Sequence, residues 1–212
     1  ADADYSISDG VAELSLGIDP GETMIWMNTF PVDPAGQYID IIKVAYGKVG
    51  GPTPLNGQSV TILLYEDING GSPQDAVLKW SFNTTVANSN TNVLNAYRVP
   101  ALLIHGNLVA AALYKNTNPI RVYIGALDTT PPTLAERSYT GYAISLDPAN
   151  LDAIPPSQWG PVENLGVTGN LRIEAHGRTS VDDLAVSLTV GKLVASGFVH
   201  LVWIGAQATY DV

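Results

Sequence analysis

The sequence predicts an all-β fold: an antiparallel two-sheet β-sandwich, or jelly roll, followed by a short second β segment. Three observations carry this. Period-2 alternation recurs along most of the chain and is cleanest at Val60/Ile62/Leu64 against Ser59/Thr61/Leu63/Tyr65. The 20 Gly and 14 Pro punctuate many short apolar runs. No segment keeps apolar residues at helical spacing for three turns.

The strand candidates run, in order, over 24–30, 38–46, 58–66, 76–82, 94–99, 107–114, 120–127, 138–144 and 170–176. Turn chemistry separates them. Asp33-Pro34-Ala35-Gly36 follows the first, Gly50-Gly51-Pro52 the second and Asn69-Gly70-Gly71 the third. His105-Gly106-Asn107 and Thr130-Pro131-Pro132 break up the later ones. The alternation at Leu171/Ile173/Ala175 sends Arg172/Glu174/His176 to the opposite face. About nine strands without helices imply two packed antiparallel sheets. The stretch 148–161 holds four Pro and one Trp without periodicity. It reads as an ordered loop crossing one end of the sandwich, with Trp159 as an apolar anchor rather than a sugar platform.

A boundary falls near 177–181. Beyond it Leu184/Val186/Leu188/Val190 alternate strictly with Ala185/Ser187/Thr189, and runs over 198–204 and 208–212 follow. The domains are therefore 1–177 and 181–212. The second holds about three strands, with Leu184, Val186, Leu188, Leu201 and Trp203 to bury and an open edge that invites strand addition.

Composition excludes several function classes. Hydrophobic residues are 46% of the 212 and charged ones 14%, enough for a core and wrong for disorder. The net charge of −10 repels phosphate backbones and anionic lipid, so neither nucleic acid nor membrane is an expected partner. The most apolar stretch, 99–114, is interrupted by Pro100, His105, Gly106 and Asn107, so no membrane span is expected. The absence of Cys removes disulfides, thiolate metal sites and a cysteine nucleophile. Ala1-Asp2-Ala3-Asp4 fits a mature N-terminus left by signal removal. Export to the extracellular space or cell surface is the expected location.

Two resemblances rest on particular residues. Ser8-Asp9-Gly10, Leu16-Gly17, Trp26-Met27-Asn28-Thr29-Phe30, Leu64-Tyr65-Glu66-Asp67-Ile68-Asn69-Gly70-Gly71-Ser72-Pro73, Arg137-Ser138-Tyr139 and Leu171-Arg172-Ile173 resemble a jelly-roll module of large secreted bacterial proteins. That module is broadly similar to galactose-binding-like sandwiches, and the resemblance covers 5–177. The tail, 183–190 with Val199-His200-Leu201-Val202-Trp203 and Tyr210-Asp211-Val212, is similar to the first half of a fibronectin type III domain, Trp203 taking the place of its core Trp.

Little chemistry rises above this background. His105, His176 and His200 lie in three different elements, and no Gly-x-Ser-x-Gly elbow accompanies them, so no nucleophilic triad is expected. His176 has a carboxylate, Glu174, two residues before it, which alone makes no zinc site. Gly50-Gly51 lacks the helix a phosphate loop requires. Paired carboxylates for glycoside hydrolysis need only be near in space, and 20 acidic residues offer many accidental pairs.

Calcium is the best ligand hypothesis. Asp67, Asn69 and Asp75 give an oxygen-rich loop, although the distal Glu and following helix of an EF-hand are missing. A tight hairpin with Asn-Gly turn chemistry accounts for the same residues without metal. Asp9 and Asp128-Thr129-Thr130 are further oxygen donors in loops. Tyr5, Trp80, Tyr97, Tyr139, Tyr142 and Trp159 are the aromatics available to a glycan, and most Trp in sandwiches are core. Asn83-Thr84-Thr85 matches a glycosylation acceptor.

The expectation is a non-catalytic exported module with a structural, adhesive or assembly role. Its partners would be copies of itself or neighbouring domains, with self-assembly through the C-terminal strands. The competing expectation is a carbohydrate-binding module of a secreted hydrolase.

Overall fold

The computed structural model describes residues 2–52, 55–180, 187–192, 199–205 and 208–211. The chain divides into two compact units, Ala1–Thr179 and Ser180–Val212. The first is an all-β sandwich. Its strands are β1 (Ala3–Tyr5), β2 (Leu14–Ile18), β3 (Thr23–Pro31), β4 (Tyr38–Val44), β5 (Ser59–Asp67), β6 (Val77–Thr85) and β7 (Asn95–Leu103). They continue as β8 (Asn107–Lys115), β9 (Val122–Asp128), β10 (Ser138–Ala143), β11 (Trp159–Pro161), β12 (Asn170–Leu171) and β13 (Ile173–Arg178). Every pairing is antiparallel. A six-stranded sheet runs β11-β10-β3-β8-β5-β6, a four-stranded sheet β1-β13-β4-β7, and a three-stranded sheet β12-β9-β2. A bridge between Tyr46 and Gly125 joins the last two.

The central strands of the six-stranded sheet are apolar on both faces because both faces are covered. Met24, Trp26 and Phe30 of β3 join Ile62 and Leu64 of β5 and Ala110 and Ala112 of β8 in the core between the sheets. Ile25, Met27, Leu63, Tyr65, Val109 and Ala111 form a second core on the outer face. That face is closed by Leu151, Ile154 and Trp159. The proline-rich loop therefore lies across the outer face of a sheet, not across one end of the sandwich. The apolar residues Leu63 and Tyr65 demand that cover, since leaving such side chains in water costs about 1.5–3 kcal/mol each. Trp159 stacks on Tyr139 with ring centroids 6.3 Å apart, and its indole N–H donates to Ser72 Oγ at 3.0 Å. Gly141 lies beneath it; a Cβ there would stand 2.8 Å from the indole ring.

The last predicted strand breaks at Arg172. Asn170 and Leu171 pair with β9, while Ile173 onward pairs with β4. Asn28, fully buried on β3, holds the junction by donating to Leu171 O at 2.7 Å and Ile173 O at 2.8 Å. Its Oδ1 accepts from Ser138 Oγ, which in turn accepts from Leu171 N. Arg172 is 2% exposed, whereas alternation sends it outward. The change of partner strand suspends the alternation at that residue. β1 and β11, with three residues each, are too short to show a period, and β2, where Leu14, Leu16 and Ile18 alternate with Ser15 and Gly17, is a strand absent from the predicted set. β7 runs on through Pro100, which an edge strand tolerates, so it is longer than predicted.

The second unit contains β14 (Ser187–Lys192), β15 (Val199–Gly205) and β16 (Ala208–Asp211), in the order β14-β15-β16. Leu184 and Val186, expected at the start of that sheet, lie outside the described residues. Among the described residues no helix is long and apolar enough to cross a membrane.

Candidate functional site

Asp67, Asn69 and Asp75 sit in the connection from β5 to β6. Asp67 is buried and its Oδ1 accepts from Gly70 N at 2.9 Å. Asn69 donates its side-chain N–H to Asp75 Oδ2 at 2.7 Å. Gly70 and Gly71 adopt φ of 72° and 91°, where glycine meets no Cβ penalty. A 3-10 turn at Pro73–Asp75 completes the connection, so it is longer than a two-residue hairpin. Asn69 turns its nitrogen, not its oxygen, toward Asp75.

A different set of carboxylates converges. Asp9, Glu13 and Asp128 each place an oxygen within 4.8 Å of the others. Asp128, 2% exposed, accepts from Asp9 N at 2.6 Å and from Thr130 N at 2.9 Å. Glu13 Oε2 accepts from Thr129 N at 2.7 Å. Burial pushes the Asp128 carboxyl above the usual aspartate range. The Asp9 and Thr130 N–H groups oppose that shift, and the charges of Asp9 and Glu13 add to it. The cluster ties the β1–β2 connection to the end of β9. Asp9 and Asp128 were legible as loop donors. Glu13 was not, because nothing in its local sequence marks it.

His105 and His176 each face a carboxylate. His105 Nδ1 lies 3.2 Å from Glu66 Oε1, which also accepts from His105 N at 2.7 Å, and Lys79 Nζ lies 3.1 Å from Glu66 Oε2. Burial pushes the Glu66 carboxyl up, but the bonds from His105 and Lys79 outweigh it and hold the group below the usual glutamate range. His176 Nδ1 lies 2.6 Å from Asp40 Oδ1, and Arg178 binds the other oxygen of Asp40. These are two separate ion-pair clusters, on opposite sheets.

The remaining candidate is an edge. β6 has a neighbour, β5, on one side only. Trp80 and Phe82 lie opposite Leu64 and Ile62, and so share the inward face of those two residues. Their rings are nearly parallel, 9° apart with centroids at 5.9 Å, and Phe82 lies 6.5 Å from Tyr97 of β7. Tyr97 in turn bonds the buried Tyr46 hydroxyl at 2.9 Å. Phe82 is 47% exposed. Of the aromatics the sequence offered to a glycan, Tyr5, Tyr139 and Trp159 are buried, while Trp80, Tyr97 and Tyr142 are half-buried. Phe82 was missed, although it stands two residues from Trp80, on the same face of one strand.

The other sheet edges of the first unit are short or interrupted: β12 has two residues, and β2 has five with a register shift against β9 between Leu16 and Gly17. β1 and β11 have three residues each, and Asp4 of β1 pairs with Lys43. β7 carries Pro100, Ala101 at φ 49° and a register shift against β4. β6 has nine residues, no Pro and one charge, Lys79. Its own irregularity sits at Lys79, where the register against β5 shifts, and Trp80–Thr85 is regular.

No family model matches the chain, and no curated protein matches it. A solved structure of the clostridial cysteine protease Cwp84 after propeptide cleavage is similar in fold, with a TM-score of 0.53 and 14% identity. The likeness covers 84% of this chain and 40% of that one.

Proposed function

We propose that this chain is a non-catalytic interaction module of an exported bacterial protein, with a structural or assembly role. One observation carries the reading: β6 is a long, nearly uncharged sheet edge, regular from Trp80 to Thr85 and bearing half-exposed aromatics, while the other edges of the first unit are short, kinked or charged. Natural sheets guard such edges unless something pairs with them. The acidic, Cys-free composition fits export. The similarity to part of a protease chain agrees with an accessory role, because a chain with no Cys cannot supply a cysteine nucleophile. Light scattering across a concentration series tests the reading. Reversible association is expected; a monomer at every concentration contradicts an assembly role.

The near-parallel Trp80 and Phe82 favour a second reading, a carbohydrate-binding module in which these rings stack on sugar faces. Retardation in a polysaccharide gel that disappears in Trp80→Ala and Phe82→Ala would establish it. Unretarded migration would exclude it for the polysaccharides tried.

A further inference from the structure

We infer that β6 pairs with β6 of a second copy of this chain, antiparallel about a two-fold axis at Phe82, joining two six-stranded sheets into one. The inference rests on the assembly reading above and names its partner and register.

Three observations point to a second copy. The first is geometry. The register shift at Lys79 interrupts the strand, so ladder pairing is confined to the regular segment Trp80–Thr85. A two-fold axis normal to the sheet keeps the inward faces of both copies on one side, which requires a residue to face itself or one an even number away. Centring the axis on Phe82 pairs Trp80 with Thr84, Ser81 with Asn83 and Phe82 with itself. Five consecutive regular positions, 80–84, are then used in each copy.

The second observation is charge. The chain carries −10 overall, so most faces of two copies repel. β6 contains no acidic residue, and its one cation, Lys79, is paired with Glu66 at 3.1 Å. This edge is where two copies meet with little repulsion. In the chosen register Lys79 falls opposite Thr85, not opposite the partner's Lys79.

The third is side-chain content. The two Phe82 rings meet on the axis, flanked by both Trp80 rings and backed by both Tyr97 rings. Directly opposed aromatic pairs are among the stabilising cross-strand contacts of antiparallel sheets. Ser81 and Asn83, on the other face, are small and polar and exposed, so that side meets no bulk. An isologous contact of this kind closes at a dimer.

Two variants test it in the full chain. Phe82→Glu places two carboxylates directly opposite each other at an exposed site, and association should weaken by at least roughly ten-fold with the melting temperature little changed. Association that persists unchanged in Phe82→Glu overturns the β6 pairing but leaves the assembly reading in place; absence of association in the parent chain overturns both. For the register, Ser81→Cys and Asn83→Cys are made separately in this Cys-free background. Opposed residues lie about 4.5–5.5 Å apart between Cα atoms, inside the disulfide range of about 4.4–6.8 Å. Oxidising a mixture of the two should cross-link far faster than either variant alone. Equal rates in the mixture and in the single variants overturn the register.

Discussion

β6 and β7 are both nine-residue edge strands, one at the end of each major sheet, and their inward aromatics touch. They differ in how each treats its free side. β7 carries Pro100, which has no N–H to offer, and Ala101 in the left-handed region at φ 49°. Its ladder with β4 slips between Ile39 and Ile41. Each device spoils a template for another strand. β6 keeps one irregularity, at Lys79, and leaves Trp80–Thr85 straight. Two edges of equal length in one domain thus differ in the backbone pattern along the free side, which is what an added strand would have to match.

The largest expected effect separates what β6 does for its own fold from what it offers outside. Leu64 is fully buried and lies opposite Trp80. Leu64→Ala should destabilise by about 2–5 kcal/mol. Phe82→Ala, at a half-exposed site on the neighbouring strand, should cost under about 1 kcal/mol. Chemical denaturation measures both. A cost for Phe82→Ala as large as that for Leu64→Ala would make Phe82 a core residue and remove its availability.

A smaller effect concerns Glu66, which holds Lys79 at the irregular point of β6. Its folded-state pKa is lowered, so its stabilisation is complete above the ordinary glutamate pKa of about 4.3. It is lost as pH falls through the lower folded-state value. Glu66→Gln should therefore melt below the parent chain at pH 7, and the gap should close on acidification. Asp128 acts with the opposite sign. Its raised pKa means that its ionised form opposes folding at neutral pH, and that opposition fades as pH falls through the raised value. A gap for Glu66→Gln that widened in acid would contradict the assignment of Glu66.

The smallest effect is on β7. Pro100→Ser restores one N–H but leaves Ala101 and the register slip in place, so association should not change. A gain in association would show that proline alone had guarded that edge.

The architecture was legible because alternation is a backbone property that survives in sequence. Val60/Ile62/Leu64 marked the inward face of β5 correctly. What stood opposite did not show: Leu63 and Tyr65 looked like an outward face and instead form a second core under Trp159. A cover from a distant loop leaves no local period. Arg172 was misplaced because a strand that changes sheets breaks the alternation at a single residue. The acidic cluster was half legible. Asp9 and Asp128 sit in turn-like sequence, but Glu13 joins them only through folding. Asp67, Asn69 and Asp75 drew attention by their composition, and the structure engages Asp67 with Gly70 and Asn69 with Asp75. Pro100 marks β7 as an edge, but no residue of β6 does so, which is why β6 and Phe82 stood out only once the neighbours of each strand were known.

Residue-resolved hydrogen exchange at rising protein concentration tests the difference between the two edges most directly. Backbone amides of Trp80–Thr85 that point away from β5 should exchange freely in dilute solution and become protected as concentration rises, while the outward amides of β7 stay unchanged. Exchange in β6 that is independent of concentration, or protection that appears on β7 instead, would contradict the account.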